Sequence, residues 1–227
     1  MARSIFITGT DTGIGKTYFT SGLIRSLRAR SVDVVGFKPI ECGGRDDSKE
    51  LLDASGGKHS LDEINPLWFE KPVAPLAASD AIDLYQVRSA HESLLNRHEL
   101  VIVEGAGGWL VPVTPGYTMG DLAAELCDEV IIVAANRLGV LNHAMLTFRA
   151  VLSMETLSCA RIILNHIPTA EDDCTLYNEK LYTVQSPEDQ SLSSNAESLQ
   201  KCVPPDIKVI PLRSESDFDE IAKEILL

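Results

Sequence analysis

Near its start the chain runs Arg3-Ser-Ile-Phe-Ile-Thr-Gly9-Thr-Asp-Thr-Gly-Ile-Gly15-Lys16-Thr17, and a helical pattern follows at once. A strand, a glycine-containing loop and a helix in this order form a phosphate cradle, because backbone N–H groups of the loop and of the helix N-terminus point at phosphate oxygens. In such loops the lysine reaches the β- and γ-phosphates, and the hydroxyl after it binds Mg²⁺. The residues predicted to contact a nucleotide here are Gly13, Ile14, Gly15, Lys16, Thr17 and Tyr18.

The spacing of this loop departs from the standard pattern. Counted back from Gly15, the pattern G-x-x-x-x-G-K-[ST] places a glycine at position 10, whereas this chain has Thr10 and its glycine one residue earlier. A chance Gly-Lys-Thr on a surface turn is the alternative explanation. The apolar run before the loop and the helical pattern after it favour the cradle.

Composition narrows the class of protein. The 227 residues allow one domain or two small ones, and their 44% hydrophobic and 23% charged residues are those of an ordinary globular protein. The formal net charge of −13 argues against nucleic acid as a partner, and no run of the chain is long and apolar enough for a membrane span. The five cysteines form no C-x-x-C pair, so we expect reduced thiols in a cytoplasmic protein.

Short runs rich in Ile and Val alternate with helical patterns along most of the chain. This alternation predicts an α/β fold with a single doubly wound, mainly parallel sheet of the P-loop NTPase type, in one domain over residues 1–227. Residues 43–85 and 166–206 interrupt the alternation, and the second of these polar stretches is predicted to be a mobile excursion. The predicted strands are 4–8, 33–37, 99–103, 129–135, 160–164 and 207–210, and the predicted helices are 16–30, 86–98, 119–127, 141–155 and 217–226.

Two charged residues each end a predicted strand, where ligands of such sheets bind. Lys38 precedes Pro39, which favours an extended backbone and directs the lysine toward the crevice; its charge would help phosphoryl transfer. Glu104 follows four apolar residues, as the metal-binding acid of a Walker B strand does. Gly105, Gly107 and Gly108 after it allow the backbone to approach a ligand, and Gly105, Ala106 and Gly107 are predicted to contact the nucleotide. The alternative interpretations are that Lys38 is solvated and that Glu104 caps the next helix.

Asp46, Asp47 and Cys42 lie in the polar segment after Lys38. Either aspartate is suited to capping a helix or to supplying a further Mg²⁺ carboxylate, and the residues themselves favour capping. Cys42 is a weak candidate nucleophile because no histidine partners it in the sequence pattern. No Ser/His/Asp or Cys/His set emerges, so nucleophilic catalysis by the protein has no support.

Four motifs occur together and in order: Gly9-Thr-Asp-Thr-x-x-Gly-Lys-Thr17, Lys38-Pro39, Val103-Glu-Gly-Ala-Gly-Gly-Trp109 and Leu138-Gly-Val-Leu-Asn-His-Ala-Met-Leu146. Together they closely resemble the dethiobiotin synthetases, over residues 1–165. The resemblance implies a homodimer that uses MgATP to join CO₂ to 7,8-diaminononanoate. A substrate amine takes up CO₂ as a carbamate, the carbamate attacks the γ-phosphate, and the second amine closes the ring.

The resemblance also assigns roles to residues. It implies that Lys16, Lys38 and Thr12 act on the carbamate and the transferring phosphoryl group. Mg²⁺ would lie among Thr17, Asp47 and Glu104, with Asp47 preferred over Asp46 because Asp47-x-x-x-Leu51 fits the family's helix start. The base would contact Asn165, His166, Pro211 and Leu212. The substrate would contact Cys42 and, from the partner subunit's copy of the loop, Gly139, Val140, Leu141 and Asn142.

The chain departs from this family at two positions. Cys42 stands where the family usually has Ser or Thr, and a thiol is a poorer hydrogen-bond partner than a hydroxyl. Asn165-His166 stands where the family has Asn-Asp or Asn-Arg.

The main alternative to this family is an ATPase switch of the partition type. Such switches typically carry a lysine at the start of the phosphate loop, where this chain has Gly9-Thr10.

Overall fold

The computed structural model describes residues 2–166 and 191–226 of the chain. Its strands are β1 (Arg3–Gly9), β2 (Val34–Phe37), β3 (Ile40–Cys42), β4 (Leu67–Phe69), β5 (Leu100–Gly108), β6 (Pro112–Thr114), β7 (Tyr117–Thr118), β8 (Glu129–Ala135), β9 (Ser158–Asn165) and β10 (Lys208–Leu212). Its helices are α1 (Lys16–Ala29), α2 (Asp46–Ala54), α3 (Leu61–Ile64), α4 (Pro75–Ala78), α5 (Leu84–Leu95), α6 (Met119–Leu126), α7 (Val140–Leu152), α8 (Asn195–Gln200) and α9 (Asp217–Ile225).

Six of these strands form one sheet in the order β10-β9-β8-β1-β5-β2, and every neighbouring pair is parallel. The predicted α/β class and parallel sheet are therefore confirmed. From β1 the chain moves outward in one direction to β2 and in the other direction along β8, β9 and β10. Because parallel crossovers are right-handed, α1 and α7 cover opposite faces of the sheet.

The core is built from the strands that were predicted from their apolar runs. In β1, β5 and β8 the central residues are completely buried on both faces, as a sheet covered by helices requires. On one face α1 packs against α2 and α9, where Phe218 lies against Phe19 with ring centroids 6.2 Å apart. Cys127 and Cys159 are buried in this core. Among the described residues, no helix is long and apolar enough to cross a membrane.

The stretches that interrupt the alternation are partly structured. Residues 43–85 contain α2, α3, β4 and α4, and β4 pairs with β3 outside the main sheet. Most of the predicted excursion at 166–206 lies outside the described residues. Its last part contains α8, whose Leu199 is completely buried.

Candidate active site

The phosphate loop ends on a glycine for a specific structural reason. Gly15 has a φ of 85°, in the left-handed region, and α1 begins at the next residue. A Cβ at Gly15 would also overlap the side-chain amide of Asn165. That amide donates a hydrogen bond from Nδ2 to the carbonyl oxygen of Ile14, at 3.0 Å. Asn165, at the end of β9, therefore holds the loop from the side as well as lining the cavity beside it.

Lys16 is the first residue of α1 and is buried under the loop that it closes. Its Nζ donates to the carbonyl oxygen of Asp11 at 2.9 Å, so the loop folds around the ammonium. Burial lowers the pKa of Lys16 to about 8, and repulsion from the Lys38 ammonium acts in the same direction. The protein thus carries a lysine whose charge is destabilised until an anion enters the cradle.

Strand register brings Lys38 and Glu104 together. Phe37 of β2 lies beside Val103 of β5, so the residues that follow them, Lys38 and Glu104, are neighbours at the carboxyl edge of the sheet. The Lys38 Nζ lies 2.6 Å from Glu104 Oε1, and both side chains are almost fully withdrawn from solvent. Glu104 lies in β5, which continues to Gly108, and the next helix is capped by Thr118 instead. The alternatives of a solvated lysine and a helix-capping glutamate are both wrong.

Asp47 completes an ion cluster around the same ammonium. Its Oδ2 lies 2.6 Å from the Lys38 Nζ. Burial alone would raise the pKa of Asp47, but the charge of Lys38 and its hydrogen bond to Asp47 lower it overall. Burial likewise opposes the charge on Lys38, yet Glu104 and Asp47 raise the pKa of that lysine. Neither aspartate caps α2: Asp46 pairs with Lys49 on the surface, and only Asp47 enters the site.

The oxygen atoms around Glu104 are suited to a magnesium ion. The Thr17 hydroxyl donates to Glu104 Oε1 at 2.8 Å. Glu104 Oε2 is buried and has no hydrogen-bond partner within the described part of the chain, which is costly for a carboxylate oxygen unless a ligand meets it. One hydroxyl and two carboxylates are hard oxygen donors, and Mg²⁺ typically binds one or two carboxylates together with substrate phosphates. The residues present therefore fit the ion.

A buried amide that the sequence analysis did not identify supports Lys38 from behind. Asn65 is almost fully buried, and its Nδ2 donates to the carbonyl oxygens of Lys38 and Leu67. Its Oδ1 accepts from Arg45 Nε at 3.1 Å, and Arg45 is the residue from which α2 begins. The Lys38 N–H donates to the Ile64 carbonyl oxygen at 2.8 Å. The backbone of Lys38 is thus held by hydrogen bonds at both its N–H and its carbonyl oxygen.

These elements surround a cavity of about 860 Å³ at the carboxyl edge of the sheet. Twelve of its lining residues were predicted to be in the site, and ten of them are Thr12, Gly13, Gly15, Lys16, Thr17, Tyr18, Lys38, Asp47, Ala106 and Gly107. Cys42 and Asn165, predicted to contact substrate and base, also line it. The sequence analysis missed Glu41, Pro72, Val73, Ala74, Pro75 and Val111. Burial raises the pKa of the half-buried Cys42 thiol, and Glu41 beside it has the same effect.

The remaining predicted residues lie outside the cavity lining. Ile14 takes part through its carbonyl oxygen, which accepts the hydrogen bond from Asn165. Gly105 packs against Phe6, whose ring a Cβ at position 105 would overlap. Leu212 accepts a hydrogen bond from the His166 N–H at 2.8 Å, so the β9 and β10 ends lie side by side. The segment Gly139–Asn142 opens α7, with Gly139 at a φ of 92°, and a single copy of the chain does not bring it to this cavity.

The fold and this site define a P-loop nucleotide-binding protein. The family model described as an AAA domain matches residues 3–209. The MinD septum-site protein from Pyrococcus horikoshii, solved with Mg-ADP, is similar in fold, with a TM-score of 0.55 at 17% identity over 99% of this chain and 96% of that one.

Curated relatives identify the family more closely. The ATP-dependent dethiobiotin synthetase of Akkermansia muciniphila is 36% identical over 79% of this chain and 85% of its own length. That of Anaeromyxobacter dehalogenans strain 2CP-C is 43% identical over 75% of this chain and 79% of its own length. The chain belongs to the family of ATP-dependent dethiobiotin synthetases, as its motifs had indicated.

The Lys38–Glu104 pair makes a prediction about stability. Lys38→Met removes the ammonium and leaves the fully buried Glu104 carboxylate without its cation, which should cost about 3–5 kcal/mol of unfolding free energy. Urea unfolding at pH 7 measures this. Adding Glu104→Gln should recover most of the loss, whereas Lys49→Met, at an exposed pair, should change little. Equal losses in the single and double variants would contradict the assigned pairing.

Proposed function

We propose that this chain is an ATP-dependent cyclo-ligase that converts 7,8-diaminononanoate, CO₂ and ATP into dethiobiotin, ADP and phosphate. The proposal rests above all on three of the four family motifs meeting around one cavity, where Lys16 and Lys38 lie together and Lys38 pairs with Glu104. We further propose that it acts in the cytoplasm, which the free thiols of Cys42, Cys127, Cys159 and Cys202 support.

The reaction requires little covalent chemistry from the protein. One amine of the substrate adds to CO₂ and releases a proton, giving a carbamate whose oxygen attacks the γ-phosphorus as the bond to ADP breaks. The second amine then attacks the carbamoyl carbon, and phosphate leaves. Because the substrate supplies both nucleophiles, the protein's contribution is to position and to stabilise negative charge. We assign that contribution to the ammonium groups of Lys16 and Lys38 and to the Thr12 hydroxyl on the cavity wall.

Mg²⁺ would be held by Thr17, Asp47 and Glu104, and when bound it offsets negative charge on the phosphate oxygens. The orphaned, buried Glu104 Oε2 is the observation in favour of this assignment. For the base we assign Asn165, His166, Pro211 and Leu212. Asn165 contacts the phosphate loop on one side, and the other three lie where the ends of β9 and β10 meet.

A homodimer is part of the proposal. The segment Gly139–Asn142, assigned to the substrate carboxylate, does not line the cavity that contains Lys16 and Lys38 in one copy of the chain. Next to this segment, Leu138 is 79% exposed and Leu146 is 60% exposed. A second copy covering these leucines would bring its own Gly139–Asn142 toward the cavity, and the nine-carbon diamine would bridge the two subunits.

The proposed reaction predicts that ADP release depends on both the diamine and bicarbonate. Purified protein with MgATP alone should release ADP at background rate, because the attacking carbamate is absent. The control is the same assay with DNA in place of the diamine, since the fold is shared with partition-type ATPases. Rapid release without the diamine, or stimulation by DNA, would instead favour an ATPase switch.

The lowered pKa of Lys16 predicts a pH dependence of ADP binding. In the free protein the lysine loses its charge as pH rises through about 8, so at pH 9 only about one-tenth remains charged. Lys16 should then take up a proton when ADP binds, and the affinity for ADP should fall toward about tenfold per pH unit above pH 8. The affinity should stay level down to about pH 7, below which the terminal phosphate of ADP itself begins to be protonated. Lys38 stays charged in this range because its pKa is raised. Calorimetric titration without Mg²⁺, in buffers of different ionisation enthalpy, measures both effects.

The matched variant for that experiment is Lys16→Arg. A guanidinium keeps its charge throughout the range, so binding to this variant should show neither proton uptake nor a slope above pH 8. The same slope in Lys16→Arg as in the unaltered protein would show that another group is titrating.

The shared site predicts complementation between inactive variants. Lys16→Ala damages the phosphate half of a site, and Asn142→Ala damages the half contributed by the other subunit. Mixing and re-equilibrating the two should form heterodimers with one intact site and restore ADP release that neither variant shows alone. A monomeric active protein, or a mixture that recovers nothing although heterodimers form, would refute the shared site.

A further inference from the structure

The start of α2 is capped by a residue outside the helix. Its N-cap residue, Arg45, makes no capping hydrogen bond with its side chain. The carboxylate of Glu41 accepts those hydrogen bonds instead: Oε1 from the Asp47 N–H at 3.1 Å, and Oε2 from the Ser48 N–H at 3.2 Å and from the Ser48 hydroxyl. These N–H groups belong to the first turn of the helix, where no preceding carbonyl can satisfy them.

Glu41 occupies a buried position on a second, separate sheet. It lies in β3 opposite Trp68 of β4, and only 5% of it is exposed. Ser48, its partner on α2, is completely buried. Both carboxylate oxygens of Glu41 face α2, although the residue also forms part of the cavity wall. A carboxylate used in this way is an anchor for the helix, which its negative charge also stabilises through the helix dipole.

We propose that Glu41 is a positioning residue that sets the place of Asp47, and through it the magnesium site and Lys38. The role of Asp47 toward the metal rests on the proposed function. The positional argument is that Glu41 binds the backbone N–H of the same residue whose carboxylate lies 2.6 Å from the Lys38 Nζ. Since helix α2 contributes no other residue to the cavity wall, its first turn is the only part of it that must be placed accurately, and displacements of about 1 Å are costly at such sites.

The test is Glu41→Gln, examined by two measurements that do not require turnover. In hydrogen exchange of the peptide covering residues 43–50, the first-turn amides should exchange about tenfold faster, as expected for losing a charge-assisted hydrogen bond. In equilibrium binding, the gain in ATP affinity on adding Mg²⁺ should shrink about fivefold or more, while ATP affinity without Mg²⁺ stays within about twofold. The matched control is Glu50→Gln, which removes one exposed carboxylate from the same helix.

A double-variant cycle separates positioning from general destabilisation. In an Asp47→Asn background, Glu41→Gln should have little further effect on the Mg²⁺-dependent gain, because both changes act through one carboxylate. Additive losses would overturn the proposal, as would unchanged exchange and an unchanged gain in Glu41→Gln. If Glu41→Gln does not fold, Ser48→Ala takes its place, because it removes only the hydroxyl donor to Glu41. We then expect faster exchange of the first-turn amides and a smaller Mg²⁺-dependent gain in ATP affinity. No change in either measurement overturns the proposal.

These outcomes are independent of the identity of the second substrate. If ADP release proves not to need the diamine, the proposed function fails while the exchange and ATP-binding measurements still decide the role of Glu41. If ADP release needs the diamine but Glu41→Gln behaves as Glu50→Gln does, the positioning role alone is wrong.

Discussion

The Lys38 ammonium lies where an unpaired charge would be strongly destabilising, and two carboxylates from separate segments make it tolerable. Glu104 comes from the central strand β5. Asp47 comes from α2, whose first turn is bound by Glu41 of β3, outside the main sheet. Removing Lys38 leaves the fully buried Glu104 without its cation, and removing either carboxylate leaves the buried ammonium with one partner instead of two, so the three segments are constrained to stay together. Charge balance therefore fixes the shape of the site as much as apolar packing does.

This balance has a consequence for binding. Lys16 and Lys38 contribute two positive groups, and Asp47 and Glu104 contribute two negative ones, so the cluster is close to neutral before a ligand arrives. A triphosphate alone would add excess negative charge beside the carboxylates, and a divalent ion alone would add positive charge beside the ammonium groups. The two entering together disturb the balance least, which is why a cluster of this kind is suited to a metal–nucleotide complex.

The sequence predicted the main sheet and most of the residues that line the cavity, for a reason that lies in the topology. Gly15, Lys38 and Glu104 each come after an apolar run, and parallel strands bring the ends of such runs to one edge of the sheet, so no distant contact has to be known to predict them. The sequence analysis did not identify Glu41 and Asn65, because each lies in a polar stretch with no local motif. Their roles depend on the pairing of β3 with β4 and on the packing of α2 beside them. Asp47 was preferred over Asp46 through family resemblance, since spacing alone did not distinguish them.

The same sheet also occurs in partition and septum-site ATPases at low identity, so the fold by itself does not decide the chemistry. The contents of the crevice are more informative. An ATPase that uses water must orient and activate it, commonly with a polar side chain near the γ-phosphate. The lining has polar side chains of this kind, such as Thr12 and Asn165, so the distinguishing feature is the apolar wall that includes Val73, Pro75 and Val111. An apolar wall beside a phosphate cradle accommodates an aliphatic molecule, which suits a reaction whose nucleophile arrives on a carbon chain.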